Sequence, residues 1–266
     1  MNKLQTLPKI EPKEAGFVSD VYTIAGRAIK AMLRETEYLI PSIIIPLFFF
    51  AVNVGSLSNI GEMIGQGDFR AFQLPVAIVL AVTGISRATA LVTDIQSGYF
   101  DRLLISPMNR FAILLGLMMA DFVLVLFLSF LVVAMGLLIG VQFVTGIGGI
   151  LVFLLFSGMW GLAFTGFPYA IALKTGSPAA VSASFLLFFP FSFLTTAYVP
   201  KEFLSGWLST VADYNPVTYL LDGLRSLITV GWDVQTLSYM FFAIAGIGLL
   251  SFTLAFGALR GRIAQR

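Results

Sequence analysis

The chain has 266 residues, 58% of them hydrophobic and only 11% charged, with a formal net charge of +2 and a mean hydropathy of +0.93. Soluble domains carry about 25% charged residues, and a chain with so few cannot cover itself with a water-compatible surface, which excludes a soluble enzyme, a nucleic-acid binder and a disordered tail. Histidine and cysteine are both absent, which removes the commonest general base, the commonest metal ligands and any disulfide framework; no catalytic and no metal-binding residue is expected.

Positions 1–15 carry two prolines and several charges and read as a flexible tail. From 16 to 36 the pattern turns helical: Asp20, Thr23, Arg27, Lys30 and Arg34 share one face, and Val18, Val21, Ala25, Ala28 and Met32 line the other. A basic amphipathic helix beside a membrane span lies in the headgroup layer, so an interfacial helix is expected. Its simplest role is an anchor; a sharper one is a rigid elbow that also touches a cytoplasmic partner.

Crossing the hydrocarbon layer takes about 20 mostly apolar residues. Six such stretches follow. The first fills the charge-free run 38–61 and the second 73–93, uncharged except for Arg87. A third runs from Arg110 to about residue 140, broken only by Asp121, and a fourth ends at Leu173 after a Gly-rich turn at 142–149. The fifth and sixth lie within 175–200 and 234–259. The expected fold is therefore an all-α integral membrane protein with six transmembrane helices over residues 37–263.

Between the last two spans, 201–233 contains apolar runs too short to cross, interrupted by Asp213, Pro216, Asp222 and Arg225. These suit a re-entrant or interfacial helical hairpin. On this topology twelve Lys and Arg fall on the side of the termini and three, Arg70, Lys201 and Arg225, on the other. The positive-inside rule puts both termini in the cytoplasm and the hairpin outside. The first apolar stretch is longer than a signal core, so an uncleaved first span is expected.

Arg87 and Asp121 are the charges placed inside spans. Each costs about 2.5–3.5 kcal/mol at the bilayer centre, so each should face protein or water. An Arg87–Asp121 ion pair is the preferred arrangement, with snorkelling of Arg87 or a substrate or proton role as alternatives.

The loop at 94–110 reads DIQSGYFDRLLISPMNR. It offers Tyr99, Phe100, Leu103, Leu104 and Ile105 beside Asp101 and Arg102, which is what docking into a groove of a soluble partner requires; an ordinary surface loop is the plain alternative. Gly98, Tyr99, Phe100, Asp101, Arg102, Leu103, Leu104, Ser106, Pro107 and Arg110 resemble the signature of type 2 ABC exporter permeases, in particular the daunorubicin-resistance-like drug-efflux branch. A second stretch, Trp207-Leu208 followed by Asn215-Pro216-Val217-Thr218-Tyr219 and Leu224-Arg225, is similar to that family's element before the last span. The resemblance implies that 94–110 is a coupling helix seated in a separate ATP-binding subunit, which uses ATP and Mg. It also implies that 201–233 roofs the pathway and that a second permease chain, identical or related, completes it in the cytoplasmic (inner) membrane. No G-x-x-x-x-G-K-[ST] occurs in the chain, so a P-loop motor must be another polypeptide. The function so implied is ATP-driven export of a hydrophobic or amphipathic, drug-like compound. The alternatives are a lipid or lipid-linked glycan exporter and, less favoured, a secondary transporter without an ATPase.

Overall fold

The computed structural model describes residues 16–63, 68–83 and 86–264; the expected tail at 1–15 lies outside the described residues. Among them the chain is helix and turn with no strand. The helices are α1 (Phe17–Met32), α2 (Thr36–Met63), α3 (Phe69–Thr83), α4 (Ala88–Gln96), α5 (Tyr99–Leu104), α6 (Arg110–Leu138), α7 (Gly146–Thr175), α8 (Pro178–Phe193), α9 (Trp207–Tyr214), α10 (Pro216–Thr229) and α11 (Val234–Ala264). Their starts are written locally. The Asn109 side chain accepts from the Phe111 amide to open α6, and Ser177 accepts from Ala180 with Pro178 behind it to open α8. Gly176, at φ 59°, closes α7 in the left-handed region that favours glycine.

Among the described residues, four helices are long and apolar enough to cross a membrane: Thr36–Ser56 of α2, then α6, α7 and α11. The six apolar stretches expected from sequence all become helix, but two are short. The second is not one rod. It breaks between α3 and α4, and only Phe69–Val82 is apolar throughout. The fifth, α8, ends at Phe193, three residues past Pro190, and the chain then runs irregularly to Pro200. Its phenylalanines Phe189, Phe191 and Phe193 face outward.

Close approach organises the centre. A Cβ at Gly161 would lie 2.6 Å from Val125, one at Gly158 2.8 Å from Leu126, and one at Gly166 2.7 Å from the Ser251 backbone. Small residues on α7 thus let α6 side chains and the α11 backbone come against its own backbone, as membrane helices do where apolar burial drives no association. In the spanning windows 61% of α6 residues are buried against 11% of those in α2, so α6 is interior and α2 peripheral. Two large apolar clusters form among the described residues, one around Ile24, Phe100, Leu114, Tyr169 and Leu259, the other around Phe50, Leu74, Trp160, Leu224 and Met240, beside a small third one of Met32, Leu124 and Leu128.

The connections gather at opposite ends of the long helices, as the alternating topology requires. At one end Asp20 meets Asn109, the Gln96 amide donates to the Gly176 carbonyl, and Arg262 donates to the Leu173 carbonyl. At the other, Arg70 donates to the Ile139 carbonyl, and the α6–α7 turn bonds to the end of α10 through Thr145 and Val144.

Candidate coupling and transport site

At the first end the chain leaves α4, turns at Gly98 (φ 73°) and enters α5. A side chain at φ 73° is strained, so glycine is required for the reversal. The turn sends Phe100 (fully buried) and Leu104 into the bundle among Leu91, Ile95 and Leu259. Of the knobs expected to be offered to a soluble partner, Phe100 and Leu104 are therefore not available: a six-residue amphipathic helix must spend one face holding itself to the bundle. Arg102, Ile105 (85% exposed), Pro107 and Arg110 face out, while Tyr99, Asp101 and Leu103 are half-buried. Asn109 continues the chain into α6, and its amide donates to the buried Asp20 carboxylate (2.9 Å).

That bond corrects the reading of α1. Its buried stripe is Asp20, Ile24, Ala28 and Met32, whereas Val18 is 79% exposed. Position 116 on α6 is glycine, and a Cβ there would lie 2.7 Å from Ile24. The helix is therefore docked onto α6 as well as amphipathic. Arg27, flanking that stripe, pairs with Asp94 (3.0 Å) and lies over the Tyr99 ring at 4.4 Å. A contact thus runs from α1 through α4 to the first residue of α5.

The break before α4 exposes backbone donors inside the bundle, and Asp121 of α6 satisfies them. Its carboxylate accepts from the Arg87 amide (3.1 Å), the Thr165 hydroxyl of α7 (2.5 Å) and the Ser86 hydroxyl (3.4 Å), and Ser86 in turn accepts from the Ala88 amide. The expected Arg87–Asp121 ion pair is not what forms. The Arg87 guanidinium points away and makes two bonds to Glu35, at 2.9 and 3.2 Å. The reason is the broken helix: an acidic group beside a helix start is held by the free amides of the first turn, which leaves the long arginine for the elbow after α1. Sequence reasoning missed Glu35, Asp94, Ser86 and Thr165. The one available signal was that Glu35 and Asp94 are acidic residues flanking apolar runs.

The second motif closes the opposite end. Asn215 caps α10 by accepting from Val217, while its amide donates to the Phe191 (2.7 Å) and Leu194 (2.8 Å) carbonyls. It thereby satisfies carbonyls freed where α8 stops. Pro216 stands at the first helical position, which has no intrahelical partner to lose. Arg225 donates to the carbonyls of Phe72, Thr196 and Ala197 and to the Thr196 hydroxyl, and stacks on Phe72 at 3.6 Å. The Tyr219 hydroxyl donates to the Asp213 carbonyl (2.6 Å), tying α10 to α9, and Trp207 stays largely exposed. The motif residues of 201–233 are thus brought together, apart from Trp207.

Among the described residues, an all-helical bundle with four helices of spanning length, a broken helix leading into a short anchored one, and a capped helix pair at the far end is the architecture of a multi-pass membrane protein. The chain belongs to the ABC-2 type transporter family, which it matches over residues 19–229. It is 28% identical to a daunorubicin resistance ABC transporter permease protein, DrrB1, of Streptomyces coeruleorubidus, over 84% of this chain and 81% of that protein. It is 23% identical to a probable doxorubicin resistance ABC transporter permease protein, DrrC, of Mycobacterium tuberculosis, over 87% and 84%. A putative transport permease, ycf38, of Cyanophora paradoxa is 24% identical over 79% of this chain and 74% of its own length.

Proposed function

We propose that the chain is the membrane-spanning permease subunit of an ATP-driven exporter, moving a hydrophobic or amphipathic, drug-like compound out of the cytoplasm or inner leaflet. Six helices cross or enter the bilayer, both termini are cytoplasmic, and α9–α10 forms an extracytoplasmic hairpin. A separate ATP-binding subunit, using ATP and Mg, docks on α5, and a second permease chain completes the pathway. The observation that carries this reading is the two-faced α5: Phe100 and Leu104 fix it to the bundle while Arg102 and Ile105 are left outward beside Pro107. A force applied to that outer face moves α4 and the elbow with it, as rigid-body transmission requires. The relatives named for drug resistance support the cargo class.

The test is co-purification in detergent with the ATP-binding-cassette ATPases encoded beside the gene, followed by ATP-dependent transport in liposomes. Arg102→Glu with Ile105→Asp changes only exposed side chains. Unfolding should shift by no more than about 0.5 kcal/mol, as for ordinary surface changes, while ATPase capture falls at least tenfold. Undiminished capture by a folded double variant would overturn the docking role. Transport without any ATPase would overturn the exporter reading.

A further inference from the structure

Between α1, the start of α2 and α4 lies a cavity of about 350 Å³, within the range of about 300–1,000 Å³ for small-molecule sites. Helices α1 and α4 do not pack side by side; two ion pairs bridge the space. Arg27 reaches from α1 to Asp94, and Glu35, just past α1, reaches Arg87. The four charges sum to zero, and their order reverses from one end of the cavity to the other. The wall between them is small and apolar, with Ala31 and Ala90 on opposite sides. Three polar groups in this wall are orphans. The Arg27 Nε–H, the Arg87 Nε–H and the Tyr38 hydroxyl are buried and have no hydrogen-bond partner among the described residues, and the Arg87 side chain is only 5% exposed. A buried polar group without a partner costs about 1–3 kcal/mol, and all three can donate, so the wall is complementary to an occupant rich in oxygen acceptors.

We propose that this cavity binds the zwitterionic headgroup of a phospholipid of the phosphoethanolamine class. The phosphodiester oxygens accept from Arg87, and the ammonium donates to Glu35. The choice of a zwitterion follows from charge balance. A bare anion on Arg87 would compete with Glu35 and leave that carboxylate without its cation, whereas a zwitterion brings the replacement cation with it. The choice of a lipid rests on the membrane topology above, with α1 in the headgroup layer and α2 entering the bilayer beside the cavity. On the Tyr38 side of α2 the exposed Ile45, Phe49 and Val52 follow at helical spacing and give the acyl chains a path along the helix.

The test is native mass spectrometry of the detergent-purified chain titrated with phosphatidylethanolamine, phosphatidylglycerol and diacylglycerol of identical acyl chains, and separately with inorganic phosphate. Phosphatidylethanolamine should bind at least tenfold more tightly than diacylglycerol, with phosphatidylglycerol between them. Ala31→Phe with Ala90→Phe fills the cavity without touching either ion pair and should abolish the preference. Should that variant fail to fold, Glu35→Gln should lower phosphatidylethanolamine binding to the phosphatidylglycerol level. Equal binding of all three lipids, or a preference that survives the filled variant, would overturn the proposal. So would competition by inorganic phosphate at millimolar concentration, which would make it a free-anion site. None of these readouts involves an ATPase or transport, so failure of the exporter reading leaves this outcome independently legible.

Discussion

Arg225 and Arg87 are both buried guanidiniums joining helices distant in sequence, yet they are satisfied by different chemistry. Arg225 donates into neutral carbonyls of Phe72, Thr196 and Ala197 and stacks on an aromatic ring. Its only carboxylate, Asp222, stands 3.7 Å away. Arg87 instead pairs with a half-exposed carboxylate across the edge of a cavity. Backbone carbonyls set in packed chain cannot move without unpacking it, whereas a glutamate on an elbow can let go by changing rotamer. The α10 end is thus the more fixed of the two, and the α1–α4 end the more easily rearranged. The coupling proposed above, with force arriving at α5, calls for that asymmetry.

The largest effect should come from breaking the fixed end. Arg225→Ala leaves several inward carbonyls without donors, each worth about 1–3 kcal/mol when buried. A loss of about 3–5 kcal/mol is expected, read as thermal unfolding in detergent followed by tryptophan fluorescence. A loss below about 1 kcal/mol would show that this end is not a lock.

Next is the seam between the two apolar clusters. Asp121→Leu removes the acceptor for the Arg87 amide and the Thr165 hydroxyl and should cost about 2–4 kcal/mol. Asp121→Asn keeps one carbonyl oxygen and should cost about 1 kcal/mol. If both variants cost the same, the negative charge rather than the hydrogen bonds holds the break.

The movable end should yield least per residue but show clear coupling. Glu35→Gln and Arg87→Gln should each cost about 1–2 kcal/mol, with the double variant costing less than their sum by about 1 kcal/mol. Additivity would mean that the pair contributes nothing to the elbow. Arg87→Asp with Asp121→Arg, in contrast, should not recover either single loss, since the side chains are not partners.

Much of this was legible in sequence because it depends on local signals. Charge-free runs located the apolar helices. The two motifs marked α5 and α10. What the sequence did not carry was the choice of partner. Arg87 and Asp121 are near one another, but the break between α3 and α4 decides that the Asp121 carboxylate takes the amide and Glu35 takes the guanidinium. Gly84, between the two helices in the sequence, is a helix breaker, but it does not say which acceptor the freed amides find. The inward turn of Phe100 was likewise hidden, because period alone gives an amphipathic helix two faces without saying which one is held. Asp20 read as polar and exposed, and only the arrival of the Asn109 amide from 89 residues away accounts for its burial.

The smallest effect expected lies at the start of α11, where the loop from α10 enters the last helix. Asp233 accepts from the Thr236 hydroxyl and from the Gln235 and Thr236 amides. These bonds, the Thr236 hydroxyl first, hold its carboxyl below the usual carboxylate range. A depressed folded-state pKa stabilises the fold at pH above the unfolded value of about 4, and the contribution is lost as pH falls through the folded value. Stability measured from pH 7 down to 3 should therefore fall slightly less steeply in Asp233→Asn, which keeps the capping oxygen but cannot titrate. Thr236→Val removes the leading cause of the depression and should flatten the same limb by a similar amount. Because this carboxyl is solvent-exposed, added salt should also reduce the difference. An acid limb identical in all three proteins would mean that the acid sensitivity of the fold resides elsewhere, with the carboxylates of the α1–α4 end as the next groups to substitute.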